Sequence, residues 1–312
     1  MPSLEHYKWS VSVFARNERH HLPACIKAIA RAIRGVNTHV SLILNGTSDD
    51  SSTVADALTR QLGLSIEIYD IEFGDKSNAF NQFVYSIRPK ADVYFFVDGY
   101  AMVDEFAFIE LNRSLEEHSQ SNAAAALPST GRSASNIRVD MLKYGGLHGS
   151  LFALRRSFVD RLVMMELRLP IGLYRGDGLI GSFVAHDLDP QNPWRPFLAG
   201  NVVPTATWQT VPLSVWRWRD LVRHWHRLIR QGRGRLEHEA IKEIIYRNGY
   251  KALPVYADLM ILEWINKLPK YRRSKLIRDP FAMLAVWQIR RPRSPATEEI
   301  IPHLLAQTPA PV

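Results

Sequence analysis

Short apolar runs alternate with amphipathic stretches through roughly the first third of the chain. Residues 8–14 (KWSVSVF) alternate polar and apolar side chains, the period of a strand. A polar turn, 15–19, follows. Leu22, Cys25, Ile26, Ile29 and Ile33 then recur at helical spacing, with Pro23 tolerated in the first turn and Gly35 as the stop. Residues 40–44 (VSLIL) predict a second strand, and the loop 45–50 supplies N-cap residues for a helix over 52–62. A third strand over 64–69 leads through 74–78 into a helix containing Asn81, Phe83 and Val84. The run Val93, Tyr94, Phe95, Phe96, Val97 is apolar without a break, as suits a strand covered on both faces, and it stops abruptly at Asp98-Gly99-Tyr100. Four strands separated by helices predict an α/β fold, a mostly parallel, doubly wound sheet flanked by helices.

Beyond Tyr100 the pattern predicts a helix over 106–118, then a small-residue loop over 123–136 (AAAALPSTGRSASN). A glycine turn and strand occupy 145–156, an acidic glycine-bounded loop enters a helix over 173–183, and 193–208 is extended. From residue 213 the chain turns basic and helical, with further helices over 241–250 and 256–265. Its last segment, 291–312, is Pro-rich and reads as a mobile tail after a helical extension over 213–290.

Composition narrows this picture. Hydrophobic content of 46% with 22% charged residues is that of an ordinary globular protein. The single cysteine, Cys25, excludes an internal disulfide and fits a reducing, cytoplasmic compartment. Glu5, His6 and Lys8 interrupt any signal-peptide core, and no apolar run approaches the roughly 18 residues of a spanning helix. A soluble or peripheral protein is expected.

The net charge of +8 is unevenly placed: 216–235 holds seven arginines, three tryptophans and two histidines against one acid, Asp220. On a helix, Arg219, Arg223, Arg227 and Arg230 share one face, opposite Trp218, Leu221, Trp225 and Leu228. Such a face suits a diphosphate or an anionic membrane surface, and equally a packed helix with a solvated basic side.

Two acids carry candidate chemistry. Asp98 ends a buried strand, where open α/β sheets bind ligands, and Gly99 lets a ligand approach the backbone. Asp177 sits in a Gly-Asp-Gly turn, which by itself reads as a helix cap as readily as a base. Lys76 offers a point charge to a diphosphate, and His148 lies between glycines that leave it access to a ligand or to a hydrogen-bonded niche.

In their order, these segments resemble the family 2 glycosyltransferases, inverting enzymes of GT-A (Rossmann-like) fold that use nucleotide-diphosphate sugars. SVSVFARNERHHLPACIKAI looks like the family's opening strand, turn and helix; LILNGTSDDSS its base-binding loop; GDKSNAFNQFV its Gly-Lys-Asn segment. FFVDGY occupies the place of the Asp-X-Asp strand end, GGLHGSLFALRRS resembles the acceptor-side turn, and GDGLIGSF the loop of the catalytic base. The resemblance implies a catalytic domain over 1–212, with a nucleotide-sugar half to about 104 and an acceptor half beyond. It implies Asp177 as base, and Ala15, Asn17, Glu18, Asn45, Lys76, Asn78, Asp98 and Gly99 around the nucleotide sugar. Gly146, His148, Arg223 and Arg227 fall to the acceptor or diphosphate. The implied cofactor is a divalent metal, Mg²⁺ or Mn²⁺, on Asp98. Two departures stand out: Asn45 replaces a usual aspartate, and Tyr100 replaces the second acid of the metal pair, a poor ligand for a hard cation. The metal is then held weakly, held with help from Asp104, or absent.

The resemblance therefore implies transfer of a sugar to a hydroxyl acceptor (glycan, lipid-linked or small molecule) in polysaccharide or glycolipid biosynthesis, with peripheral contact at the inner membrane face. A non-catalytic or metal-independent relative that binds sugar nucleotide is the alternative. A nucleotidyltransferase would want a glycine-rich loop after the first strand, which ARNERHH is not. Specific nucleic-acid binding lacks an aromatic stacking platform.

Overall fold

Strand β1 (His6–Ala15) runs through the middle of the sheet, and its alternation decides which layer each side chain enters. Trp9, Val11, Val13 and Ala15 pack on one side, Phe14 on the other. The computed structural model describes residues 5–131, 133–210, 218–270, 279–290 and 295–307, with main chain only over 218–227. After β1 come α1 (Leu22–Ala32), β2 (Thr38–Asn45), α2 (Ser51–Leu62), β3 (Glu67–Ile71), α3 (Lys76–Gln82), a π-turn (Phe83–Ile87) and β4 (Lys90–Asp98). β1 pairs in parallel with both β2 and β4, and β2 with β3. β4 is covered on both faces as expected: Val93, Phe95 and Val97 enter one layer, Tyr94 and Phe96 the other.

The following elements are β5 (Met102–Val103), α4 (Ala107–Glu117), β6 (Ala123–Pro128), α5 (Ala134–Tyr144), β7 (Leu151–Arg155), α6 (Arg156–Met164), α7 (Gly176–Ala185), α8 (Pro196–Ala199) and β8 (Gly200–Gln209). β7 lies antiparallel between β4 and β6, and β6 is parallel to β8, so this half of the sheet is mixed. The expected loop over 123–136 is instead a fully buried strand followed by a helix. Alanine has little strand propensity of its own, so the run carried no local signal. Here its small side chains lie under α4 and α5, and packing decides the conformation.

Toward the C-terminus, α9 (Trp218–Asn248) is one 31-residue helix, without the expected division near 241. It packs against α10 (Ala257–Lys267) and α11 (Pro280–Ile289). Gly232 lies at the α9–α11 crossing, where a Cβ would meet the Phe281 carbonyl carbon at 2.6 Å. Leu236, Ala240 and Ile245 of α9 share one core with Leu173, Leu179 and Phe183 beside Asp177.

The tail corrects a second expectation. Residues 297–307 form α12 (Thr297–Ile300) and β9 (His303–Gln307), the latter antiparallel to β3 on the sheet edge. The free backbone groups of an edge strand accept such a partner. Among the described residues the sheet runs in the order β5-β8-β6-β7-β4-β1-β2-β3-β9. Among the described residues no helix is long and apolar enough to cross a membrane.

Candidate active site at the C-terminal edge of the parallel strands

Three strand ends meet at this edge. Phe14 of β1 stands level with Asp98 of β4, and Ala15 level with Leu44 of β2. Asn45 donates through Nδ2 to the Ala15 carbonyl at 3.0 Å, and Gly99 N–H donates to the Phe14 carbonyl at 2.8 Å. Gly99 is required there, because a Cβ would lie 2.7 Å from that of Ala15. Asn17, with φ of 54°, accepts from Ser48 N–H at 2.8 Å and so ties the β1 loop to the β2 loop. Glu18 donates its N–H to Ser51 Oγ at 3.1 Å and holds His21 Nδ1 at 2.7 Å.

Asp98 is buried, 6% exposed, and both its oxygens are engaged. Oδ1 pairs with the Lys76 ammonium. Oδ2 accepts from the Tyr100 hydroxyl at 2.6 Å and, more loosely, from Ser150 Oγ at 3.5 Å. Burial, then the Asp98 charge and hydrogen bond, hold the Tyr100 phenol well above its ordinary pKa, so it is a neutral donor. The residue as a whole is 36% exposed; the hydroxyl, turned to two buried side chains, is the shielded end.

Lys76, at the start of α3, also donates to the Gly149 carbonyl at 3.1 Å. The N–H of the same glycine donates to Asp177 Oδ2 at 3.0 Å. One residue of the 145–150 turn thus joins the two acids, Asp98 through Lys76 and Asp177 directly. Asp177 lies in the first turn of α7, where its Oδ1 also accepts from Gly178 N–H at 2.9 Å. It is not the N-cap, which is Arg175. A carboxylate has about four lone-pair sites, so two remain for a substrate proton.

His148 packs against Trp208 with ring centroids 4.9 Å apart and ring planes tilted by 31°, and its Nδ1 accepts from Ser150 N–H at 3.2 Å. Burial pushes its pKa below the ordinary value, against the pull of Asp177 and Asp98. The neutral ring carries its proton on Nε2. Gly146, with φ of 108°, faces open space.

The loop before Asp177 is gripped from α9. Glu237, 1% exposed, accepts from Tyr174 N–H at 3.0 Å and Arg175 N–H at 3.3 Å. Arg233 binds Glu237 at 2.8 Å and Asp258 at 2.7 Å, and also reaches the Gly172 carbonyl. Asp75, capping α3, accepts from Gly172 N–H at 3.0 Å.

Of the residues expected from sequence, Lys76, Asp98, His148 and Asp177 come together, with Ala15, Asn17, Glu18, Asn45 and Gly99 along the same edge. Asn78 does not join them: it is buried, and its amide donates to the Ile300 carbonyl at 2.8 Å, holding the C-terminal segment. The side chains of Arg223 and Arg227 lie outside the described residues, as do those of Arg219, Trp218 and Trp225. Arg230 lies over the Tyr174 ring at 5.7 Å. Sequence reasoning missed Gly149, Ser150, Arg233 and Glu237. An Arg-Glu pair four apart on a basic helix looks like a surface pair, and only its burial distinguishes it. Cys25 Sγ contacts the Asp98 carbonyl oxygen at 3.7 Å, and burial raises its pKa, leaving an inert thiol.

The donor set does not fit a divalent cation. An ammonium already neutralises Asp98, a phenol stands at the second position, and no three His, Cys, Asp or Glu side chains among the described residues could hold a metal ion. Asp104 instead accepts from Phe106 N–H at 3.1 Å at the start of α4.

Comparison with protein-family models and with curated proteins finds no match. Among solved structures, the chain is similar to the mannosyltransferase PcManGT from Pyrobaculum calidifontis, in complex with GDP-Man and Mn²⁺. The TM-score is 0.56 and the identity 15%, covering 92% of this chain and 86% of that one. It is also similar to residues 1–349 of S. aureus TarS in complex with UDP-GlcNAc, with a TM-score of 0.52 and 12% identity, covering 90% and 80%. At these identities the likeness concerns the fold: a large central sheet flanked by helices, of the kind found in GT-A-like glycosyltransferases.

Proposed function

We propose that the protein is an inverting glycosyltransferase of the family 2 type, moving a sugar from a nucleoside-diphosphate donor to a hydroxyl acceptor in polysaccharide or glycolipid synthesis. The observation that carries this reading is the convergence of Asp98 and Asp177 on Gly149 at the strand edge where α/β sheets bind ligands. The neighbours bound to GDP-Man and UDP-GlcNAc support the donor class, without choosing its base.

In this reading the acceptor hydroxyl gives its proton to Asp177 as its oxygen forms the new bond to the sugar's anomeric carbon. The bond from that carbon to the diphosphate breaks, and its electron pair leaves with the nucleoside diphosphate. The backbone N–H groups of Gly149 and Gly178 fix the Asp177 carboxylate and leave lone pairs for the incoming proton. His148, anchored on Trp208 and neutral, presents its Nε2–H as a donor to sugar or acceptor oxygens. Peripheral membrane contact rests on the spacing of basic residues in α9 alone.

The test is turnover of a nucleotide-sugar panel, wild type against Asp177→Asn. Loss of about 10²–10⁴-fold in kcat with nucleotide binding retained supports the base assignment. Unchanged turnover in the variant refutes it. Binding without turnover in the wild type would favour the non-catalytic relative, a reading encouraged by the pairing of Asp98 with Lys76.

A further inference from the structure

Resting on the glycosyltransferase reading, we infer that Lys76 serves as the built-in cation of this site, receiving the nucleoside diphosphate without a divalent metal. Three observations converge. The Asp98 carboxylate, the one acid at the strand end, has its charge neutralised by the Lys76 ammonium on Oδ1, while Tyr100 and Ser150 occupy Oδ2. Two residues on, where a second carboxylate would complete a metal pair, stands Tyr100, whose hydroxyl donates to Asp98 Oδ2 at 2.6 Å. Lys76 is itself 46% exposed, and its contacts with Asp98 and the Gly149 carbonyl leave a third N–H.

Asp98 then has a different task from metal binding. It aims an otherwise flexible ammonium and holds it beside the strand end, at the cost of its own charge. A second cation there would stand against the ammonium and would have to displace it from an Asp98 carboxylate engaged on both oxygens. As the bond to the sugar breaks, negative charge accumulates on the diphosphate, and a fixed ammonium stabilises it without ion exchange. Gly149 is part of the device: a Cβ at this position would lie 2.8 Å from Lys76 Nζ, so a larger residue would push the ammonium off its seat.

The experiment is calorimetric titration of the full chain with UDP, GDP, ADP, CDP and dTDP, once in EDTA and once in Mn²⁺. The inference expects one nucleotide to bind with affinity equal within about twofold in the two buffers. Lys76→Met should lose about 10–100-fold, the range of a charge-assisted contact, with no recovery in Mn²⁺. Lys76→Arg should recover most of the loss, and melting curves of both variants check that each is folded. Lys76→Met combined with Tyr100→Asp should bind only with Mn²⁺, a second acid replacing the cation. Binding by wild type that appears only with Mn²⁺ overturns the inference and leaves the glycosyltransferase reading standing. So does a folded Lys76→Met with wild-type affinity. No binding of any of the five in either buffer overturns both.

Discussion

Replacing Glu237 by alanine tests whether α9 holds the loop that leads into Asp177 or merely lies beside it. The carboxylate is 1% exposed and takes Tyr174 N–H, Arg175 N–H and Arg233 Nε, at 3.0, 3.3 and 2.8 Å. Burial raises its pKa, opposed by the Arg233 charge and by these hydrogen bonds, so its ionised form depends on its partners. Alanine leaves two backbone donors unpaired and removes one of the two acids that balance Arg233. Breaking a buried pair from one side costs about 3–5 kcal/mol. Arg233 keeps Asp258 at 2.7 Å, which places the expected loss at the low end, about 3 kcal/mol. Glu237→Gln should cost about half as much, since its amide oxygen still accepts from the loop while its NH₂ group faces Arg233. Urea unfolding by circular dichroism measures both, with Arg60→Ala as control. Arg60 forms an exposed i,i+4 pair with Asp56, expected to contribute at most about 0.5 kcal/mol. Because the gripped loop ends in Asp177, kcat should fall more than nucleotide affinity. Equal unfolding midpoints for Glu237→Ala and Arg60→Ala would refute the argument.

Three other outcomes follow from the same geometry. Gly149→Ala, whose methyl would meet Lys76 Nζ at 2.8 Å and Asp177 Oδ2 at 3.3 Å, should cut kcat about 10–100-fold while moving stability by under about 1 kcal/mol, read by turnover and thermal melting. Burial raises Asp75 from 3.8 to about 6, against hydrogen bonds from Asn78 and Gly172 and the Arg233 charge. The folded state therefore binds more protons between these values, and stability from this group falls as pH rises through that window. The effect is at most about 3 kcal/mol, reduced by partial exposure. Melting temperature across pH 4 to 7 should show this slope flattened in Asp75→Asn. Gly232→Ala would gain about 1 kcal/mol of helix propensity, yet its methyl would meet the Phe281 backbone at 2.6 Å. The clash wins, and net destabilisation of about 1–3 kcal/mol is expected in urea.

Where local pattern and burial agree, the sequence was readable. The elements through β4 have their expected type because a strand covered on both faces must be apolar throughout, and a helix beside it must be amphipathic. The positions of Asp98, Lys76 and Asp177 at the ends of elements were legible for a related reason: a charged residue interrupts the apolar or amphipathic pattern where an element stops or starts. Tyr100 stands out in the sequence as a departure from the usual second acid, but its role as hydrogen-bond donor to Asp98 follows only from the fold.

Other features left no local trace. Alanines 123–126 form a buried strand because neighbouring elements cover them, and β9 is a strand because β3 offers it an edge. Asn78 looked like a ligand contact and instead holds Ile300, more than two hundred residues away in the chain. The sequence by itself determined the order of elements through β4 and the acids at element ends, since both depend on neighbours within one turn or strand. Tertiary structure alone decided that Gly149 joins those acids and that Glu237 grips the loop of one, because hydrogen bonds and burial between distant segments have no sequence period.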